Sequence, residues 1–199
     1  DNRPTEPPQT EERTLTLRLQ AAPELAIAYH KPAYPHPDDP PLSVLEEVLA
    51  GSTISPLYQE LVKRRGLATG VSVSEAPGSL DPNLIVFSIS PRSEVGNSPN
   101  LAAFNEIIDG VISSGVDPRA IELAKRSIAR DFLDNLRSSS SIAQTLASSM
   151  TLYRDWRLMF RWFEETMAVT PADVNRVATQ YLKRTNRTVA TIESEVAVR

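Results

Sequence analysis

Residues 42–73, LSVLEEVLAGSTISPLYQELVKRRGLATGVSV, constrain the fold of this chain more than any other stretch. Leu42, Leu45 and Leu49 recur at helical spacing and mark one apolar face. Gly51 and Ser52 end that run, because Gly readily takes the positive φ that many helix stops use. Ser55-Pro56 predicts a restart, with Ser as cap and Pro at the first helical position. Leu57 and Leu61 continue one face, with Tyr58 packing beside them. Lys63, Arg64 and Arg65 fall in the last turn, where cations complement the helix dipole, and read as a solvated helix end. After Gly66 the apolar period drops from about 3.6 to about 2, which predicts a strand. A chain with this core must pair helices with a sheet.

The flanks extend the pattern. Leu15, Leu17 and Leu19 alternate with Thr14, Thr16 and Arg18, which predicts a half-buried strand. Leu25, Ile27 and Tyr29 predict a second, and the short connection between them suits an antiparallel pair. Residues 31–41 hold five prolines and read as a solvated loop. Residues 84–90, LIVFSIS, predict a central strand, joined to the strand after Gly66 as a hairpin through a turn at Ala76-Pro77-Gly78-Ser79 and Asp81-Pro82-Asn83. Helices then run almost to the end. Ser98-Pro99, Asp117-Pro118 and Thr170-Pro171 open three of them, each a capping side chain followed by Pro. Their inward faces carry Phe104 and Ile108; Ile121, Ala124, Ile128, Phe132 and Leu136; and Val174, Val177, Ala178 and Tyr181. Residues 188–192, TVATI, predict the last strand. The order ββ-αα-ββ-ααααα-β predicts an α+β domain, an antiparallel or mixed sheet with helices packed mainly on one face. Leu45, Leu61, Val86, Ile128 and Val177 are expected in the core. Residues 1–13 are Pro-rich and charged and read as a linker, leaving residues 14–199 as a single domain.

Several chemistries are excluded by residue supply. The chain has no cysteine and two histidines, so it offers no thiolate site and no Ser-His-Asp set. His30, His36, Asp38 and Asp39 lie at irregular, proline-broken spacing and read as a strand end and loop rather than a metal site. Glu46 and Glu47 are adjacent on a helix and point to different faces, which is wrong for a shared acid–base site. The aromatic group Trp156, Phe160, Trp162 and Phe163 reads as core. The serines at 138–141 lack the Gly and Lys of a phosphate loop and read as a helix break. A net charge of −4 with mixed signs argues against nucleic acid as a partner. No apolar run approaches the ~20 residues of a membrane span.

The pattern Ser55-Pro56-Leu57-Tyr58 … Leu61, basic run, Gly66-Leu67-Ala68 resembles the C-terminal, non-zinc-binding domain of the M16 (insulinase, pitrilysin and processing-peptidase-like) metallopeptidases. The resemblance extends through Ala28-Tyr29-His30-Lys31-Pro32, Pro35-His36-Pro37-Asp38-Asp39, Leu123-Ala124-Lys125-Arg126, Ser140-Ser141-Ile142-Ala143 and Thr170-Pro171-Ala172-Asp173-Val174 to Asn186-Arg187-Thr188-Val189. It implies an M16-peptidase-like fold. It also implies a zinc peptidase in which a preceding N-terminal half carries the metal through H-x-x-E-H, a motif this chain lacks. On that reading about half of a longer protein lies outside this sequence, zinc belongs to the full-length enzyme, and this chain binds none and is inactive alone.

Active members of the family carry an Arg on the second helix and a Tyr seven residues later, which hold the substrate backbone and steady the oxyanion. Aligned on Gly66-Leu67-Ala68, those positions fall on Val62 and Thr69, so both donors are lost. No catalytic or metal residue is therefore expected here. The resemblance implies as partners the N-terminal half of the same protein, a peptide substrate and a related M16-like subunit, as a homo- or heterodimer, with no nucleic acid and no membrane span. The alternative is a non-catalytic scaffold subunit of the same family in a larger complex. Compartment stays open, a bacterial periplasm suiting the variant resembled.

Overall fold

A computed structural model describes residues 7–78 and 81–195. The first half of the expected linker and two residues of the expected hairpin turn, Ser79 and Leu80, lie outside the described residues. The strands are β1 (Arg13–Leu19), β2 (Glu24–Lys31), β3 (Ala68–Ala76), β4 (Asn83–Pro91) and β5 (Arg187–Ser194). The helices are α1 (Asp39–Ala50), α2 (Pro56–Tyr58), α3 (Asn97–Ser114), α4 (Pro118–Leu136), α5 (Ser139–Tyr153), α6 (Leu158–Ala168) and α7 (Pro171–Tyr181). The strands form one mixed sheet in the order β1-β5-β2-β4-β3, so the α+β architecture stands as expected.

Topology differs from expectation at one edge. β1 and β2 are not partners: β5 inserts between them, parallel to β1 and antiparallel to β2. A short connection permits a hairpin but does not compel one, and β5 supplies both neighbours with a partner. The β3–β4 hairpin forms as expected, antiparallel with an irregularity between Ala68 and Gly70.

Period-2 alternation gives the sheet two unlike faces. Leu25, Ile27, Tyr29, Ile85, Phe87, Ile89 and Val189 point into the core, where Leu42, Leu45, Leu49, Leu57, Leu61, Phe104, Ile121, Val174 and Val177 meet them. Tyr29 and Phe87 pack edge to face at 6.2 Å, and Phe87 meets Phe104 at 5.4 Å. The registered neighbours on the other face are small or polar toward β3 and apolar toward β1. Ser72 pairs with Ser88, Ala26 with Ala190, Leu15 with Ala190 and Leu17 with Ile192. Leu15, Leu17 and Leu19 are 52%, 46% and 45% exposed, so the strand expected to be half-buried is open to solvent along its length. Val86 belongs to this open face and is half-buried rather than buried. Ile128 also is half-buried, at the margin of the core. Tyr181 is half-buried, its hydroxyl turned to Asp38.

Helix ends are built more variously than the Pro signals suggest. Asp117 accepts from the Arg119 N–H at 2.9 Å. Thr170 and Asp173 form a reciprocal capping box. Ser55 does not cap: its hydroxyl donates to the Glu47 carbonyl at 3.2 Å and ties the two helices together. Ser98 lies inside α3, which begins a residue earlier behind Gly96. Gly51 stops α1 at φ −70°, so positive φ is not its reason. A Cβ there would stand 2.8 Å from the Glu47 Cα, a backbone atom that cannot swing aside, and the close approach explains the glycine. Gly66 does take the left-handed conformation, at φ 61°.

Candidate functional site

Sequence reasoning singled out Val62 and Thr69, and the backbone between them is unusual. Beyond α2 the helix widens to π geometry over Gln59–Arg64, where the Arg65 N–H donates to the Glu60 carbonyl five residues back at 3.0 Å. The extra residue per turn falls around Val62, a type of distortion that recurs at functional sites. Val62 is half-buried against the core. Thr69 is exposed on β3, and its hydroxyl donates to the Ser90 carbonyl at 3.1 Å. Neither position presents a free donor, and Tyr58 is half-buried with Lys63 over its ring at 5.9 Å. Arg65 is not simply solvated: it bridges Glu60 at 2.8 Å and Glu106 at 2.6 Å.

The residues present do not fit zinc. His30 Nε2 lies 3.2 Å from the Gln9 side-chain oxygen, and His36 Nδ1 accepts from the Asp38 N–H at 3.1 Å. Among the described residues no group of three or more His, Cys, Asp or Glu is placed to hold a metal ion.

Charge is instead concentrated where a solvated loop was expected. Asp38 and Asp39 are both buried at the start of α1. Asp38 receives Arg176 at 2.7 Å and the Tyr181 hydroxyl at 2.7 Å. Burial raises its pKa, but the hydrogen bonds from Tyr181 and Arg176 outweigh that and hold it below the usual carboxylate value. Asp39 accepts from the Trp162 indole N–H at 3.1 Å and pairs with Lys31 at 2.8 Å.

Lys31 is the centre of this region. Its ammonium, with 1% of the side chain exposed, meets Asp39, Glu46 at 3.6 Å and, in a short contact, Glu75. Glu75 also accepts from Asn83 Nδ2 at 3.2 Å. Burial pulls the Lys31 pKa down, and Glu46, Asp39 and Glu75 together outweigh it and raise it above the ordinary value. Glu46 is the opposite case. Burial pushes it up to about 8, more than Lys31 lowers it, so at neutral pH it is mostly protonated. Its Oε1 has no hydrogen-bond partner, because 3.6 Å exceeds a hydrogen bond.

The sequence carried a signal for two of these residues. Lys31 continues the inward series Leu25, Ile27, Tyr29 of β2. Glu46 lies one turn from Leu42 on the apolar face of α1. Glu46 and Glu47 do point to different faces, and it is Glu46 that faces inward.

Beside this cluster a cleft of about 360 Å³ opens between the start of α1 and the α4–α5–α6 layer. Tyr34, Phe132, Leu136, Ile142, Tyr153 and Trp162 wall it, and Asp39, Glu75 and Asn83 lie at its polar end. Tyr34 and Tyr153 meet edge to face at 6.0 Å. Burial, then Glu165, raises the Tyr34 hydroxyl to about 12. The aromatic group expected in the core divides here. Trp162 lines the cleft and Phe163 stacks on Phe132 at 4.2 Å, whereas Trp156 and Phe160 are 40% and 38% exposed. Trp156 precedes α6, and Phe160, one turn before Phe163, meets Phe132 edge to face at 6.1 Å from the outer rim of the same cluster.

A second polar knot fixes the segment before β1. Arg187, 2% exposed, donates to Asn105 Oδ1 at 2.7 Å and to the Tyr29 hydroxyl at 3.3 Å, and meets Glu12 in a short contact. Gln9 donates to the Arg187 carbonyl at 2.5 Å.

Known proteins are similar in sequence and in fold. The zinc protease PqqE of Helicobacter pylori is 25% identical over 170 residues, which span 82% of this chain and 36% of PqqE. A protease of known structure from Helicobacter pylori superposes with a TM-score of 0.87 at 22% identity, over 97% of this chain and 48% of that one. The inactive peptidase domain solved from Bordetella parapertussis superposes with a TM-score of 0.80 at 26% identity, over 92% of this chain and 97% of that one. The chain thus spans 36% of the curated relative and 48% of the first of these structures. Residues 1–128 match the family described as the peptidase M16 inactive domain. With the α+β sheet and the helix–turn–helix–strand motif, this match means that the chain belongs to the inactive-domain family of the M16 zinc peptidases.

Proposed function

We propose that this chain is the non-zinc-binding domain of a zinc-dependent peptidase, and that it closes against an N-terminal half carrying H-x-x-E-H to enclose an unfolded peptide. The observation that carries this reading is the open sheet face. A row of three leucines on β1, with Ile192 beside Leu17, lies 45–52% exposed along one strand. Contiguous exposed apolar surface of this kind marks a contact with another protein body. The zinc and its water-activating Glu belong to that other half; this chain supplies shape and surface, and cleaves nothing alone.

Val62 and Thr69 support a finer statement. With no free donor at either position, the oxyanion-steadying Arg and Tyr come from a related partner subunit, as in a heterodimer. The same two residues equally suit a scaffold subunit that never cleaves. The experiment is peptide cleavage and zinc content of the full-length protein, with and without a related subunit that carries the Arg/Tyr pair. Cleavage that needs both proteins supports the heterodimer. A full-length protein that binds zinc yet cleaves nothing in any combination leaves the scaffold.

A further inference from the structure

We propose that the cleft between α1 and the α4–α5–α6 layer is a binding site for an organic cation with a large apolar body. The body sits between the rings of Tyr34, Phe132, Tyr153 and Trp162, and the charge lies against Asp39 and Glu75. This site is independent of the assembly described above.

Three observations converge. First, the space is a formed cleft of about 360 Å³, within the range of small-ligand pockets. Its rings are held in place: Trp162 by Asp39, Tyr34 by the Leu158 carbonyl at 3.4 Å and by Tyr153, and Phe132 by Phe163. Aromatic faces attract cations as well as apolar groups.

Second, the polar end carries excess negative charge. Asp39 and Glu75 share the single ammonium of Lys31, which lies behind them and is itself buried. Glu46, the third carboxyl, is mostly protonated at neutral pH and so does not change the sum. One ammonium against two carboxylates leaves a net charge of −1 at the cleft's end. Among the described residues lining the cleft, none is Lys or Arg.

Third, access is one-sided in the way a ligand needs. The Asp39 side chain is 8% exposed, whereas that of Glu75 is 41% exposed. A cation entering from solvent therefore meets Glu75 first and Asp39 at depth. Every carboxylate oxygen named here already accepts one hydrogen bond and keeps a second lone pair for an incoming donor.

The shared chemistry has two sources, a free amine or a basic side chain within a peptide. The probes are phenethylamine, which joins a ring to an ammonium, and a capped Phe-Arg-Phe peptide with no free terminus. The control is 3-phenylpropionate, of similar size and opposite charge. Binding to the 199-residue chain is read by NMR line shifts and by quenching of tryptophan fluorescence. At least one cationic probe is expected to bind at least tenfold tighter than the anion, in the millimolar range or better for so small a molecule. Binding of phenethylamine alone assigns a free amine; tighter binding of the peptide assigns a basic side chain. Glu75→Gln is expected to weaken the cation about tenfold or more and to leave the anion no weaker. Ile142→Trp, which fills the cleft from α5 without touching the carboxylates, is expected to weaken it as much. Equal binding of phenethylamine and 3-phenylpropionate overturns the proposal. So does unchanged cation binding in both variants, each shown folded by its far-UV spectrum, or no binding of either cation at about 10 mM.

Discussion

The Lys31 ammonium lies 3.6 Å from Glu46 Oε1, near enough to attract and too far to hydrogen-bond. Burial outweighs that attraction and holds Glu46 mostly as a neutral acid, with a pKa of about 8 against an ordinary 4.5. A carboxyl whose pKa is raised on folding contributes stability that is fully present below about 4.5 and is lost as pH rises toward 8. Glu46→Gln removes that dependence. Relative to the native chain, the variant should gain on the order of 2–4 kcal/mol between pH 5 and pH 8 in urea unfolding. Parallel curves for the two proteins would show that Glu46 is ionised throughout.

Lys31→Met leaves Asp39 and Glu75 without their shared cation. Losing one partner of a buried ion cluster typically costs ~3–5 kcal/mol, because the remaining charges stay desolvated. Chemical denaturation at neutral pH should show a loss of that order. A loss under about 1 kcal/mol would mean that water already reaches the cluster.

The sheet and helix faces predict unequal costs for similar truncations. Leu61 is wholly buried, and Leu61→Ala should cost ~2–5 kcal/mol. Val86 is half-buried on the open face, and Val86→Ala should cost about 1 kcal/mol or less. Equal costs in denaturant titrations would mean that the open face is covered within this chain.

Leu17→Glu separates folding from assembly. Leu17 is 46% exposed, so the isolated chain should change by about 1 kcal/mol or less. Association with the remainder of the full-length protein, followed by co-purification of the separately expressed halves, should fail. A wild-type yield of the complex would place the contact elsewhere.

Restoring the missing donors tests the subunit arrangement. In a heterodimer, Val62→Arg with Thr69→Tyr should leave peptide cleavage by the assembled enzyme unchanged. In a single-subunit enzyme the pair should raise cleavage, one donor being typically worth ~10²–10³ in rate. A large gain by the double variant acting alone removes the heterodimer reading.

Much of the fold was legible because periodicity is local. Leu42, Leu45 and Leu49 share a face after 3.6 residues per turn, and all three are fully or almost fully buried. The period change at Gly66 located a real strand. What sequence did not carry was set by distant partners. Asp38 is buried because Arg176 and Tyr181 reach it across about 140 residues, and Asp39 because Trp162 does across 123. Prolines around them suggested solvent instead. Leu15, Leu17 and Leu19 do form an apolar stripe, as their alternation says, but alternation does not name what covers it. The π-turn at Val62 has no local marker at all, since Gln59–Arg64 would also suit an ordinary helix.

The insertion of β5 between β1 and β2 sets an order of events during synthesis. Arg13 pairs with Thr188 and Leu19 with Ser194, so the two strands nearest the start of the chain cannot be bridged until some 170 further residues exist. While the ribosome makes α3 to α7, β2 has β4 beside it but bare hydrogen-bonding groups along its other edge, and β1 has no neighbour. Unpaired edges recruit other strands. The nascent chain is therefore most open to mispairing and to chaperone capture late in translation, and arrest just before residue 187 should leave β1 accessible to protease while the β3–β4 hairpin is already protected.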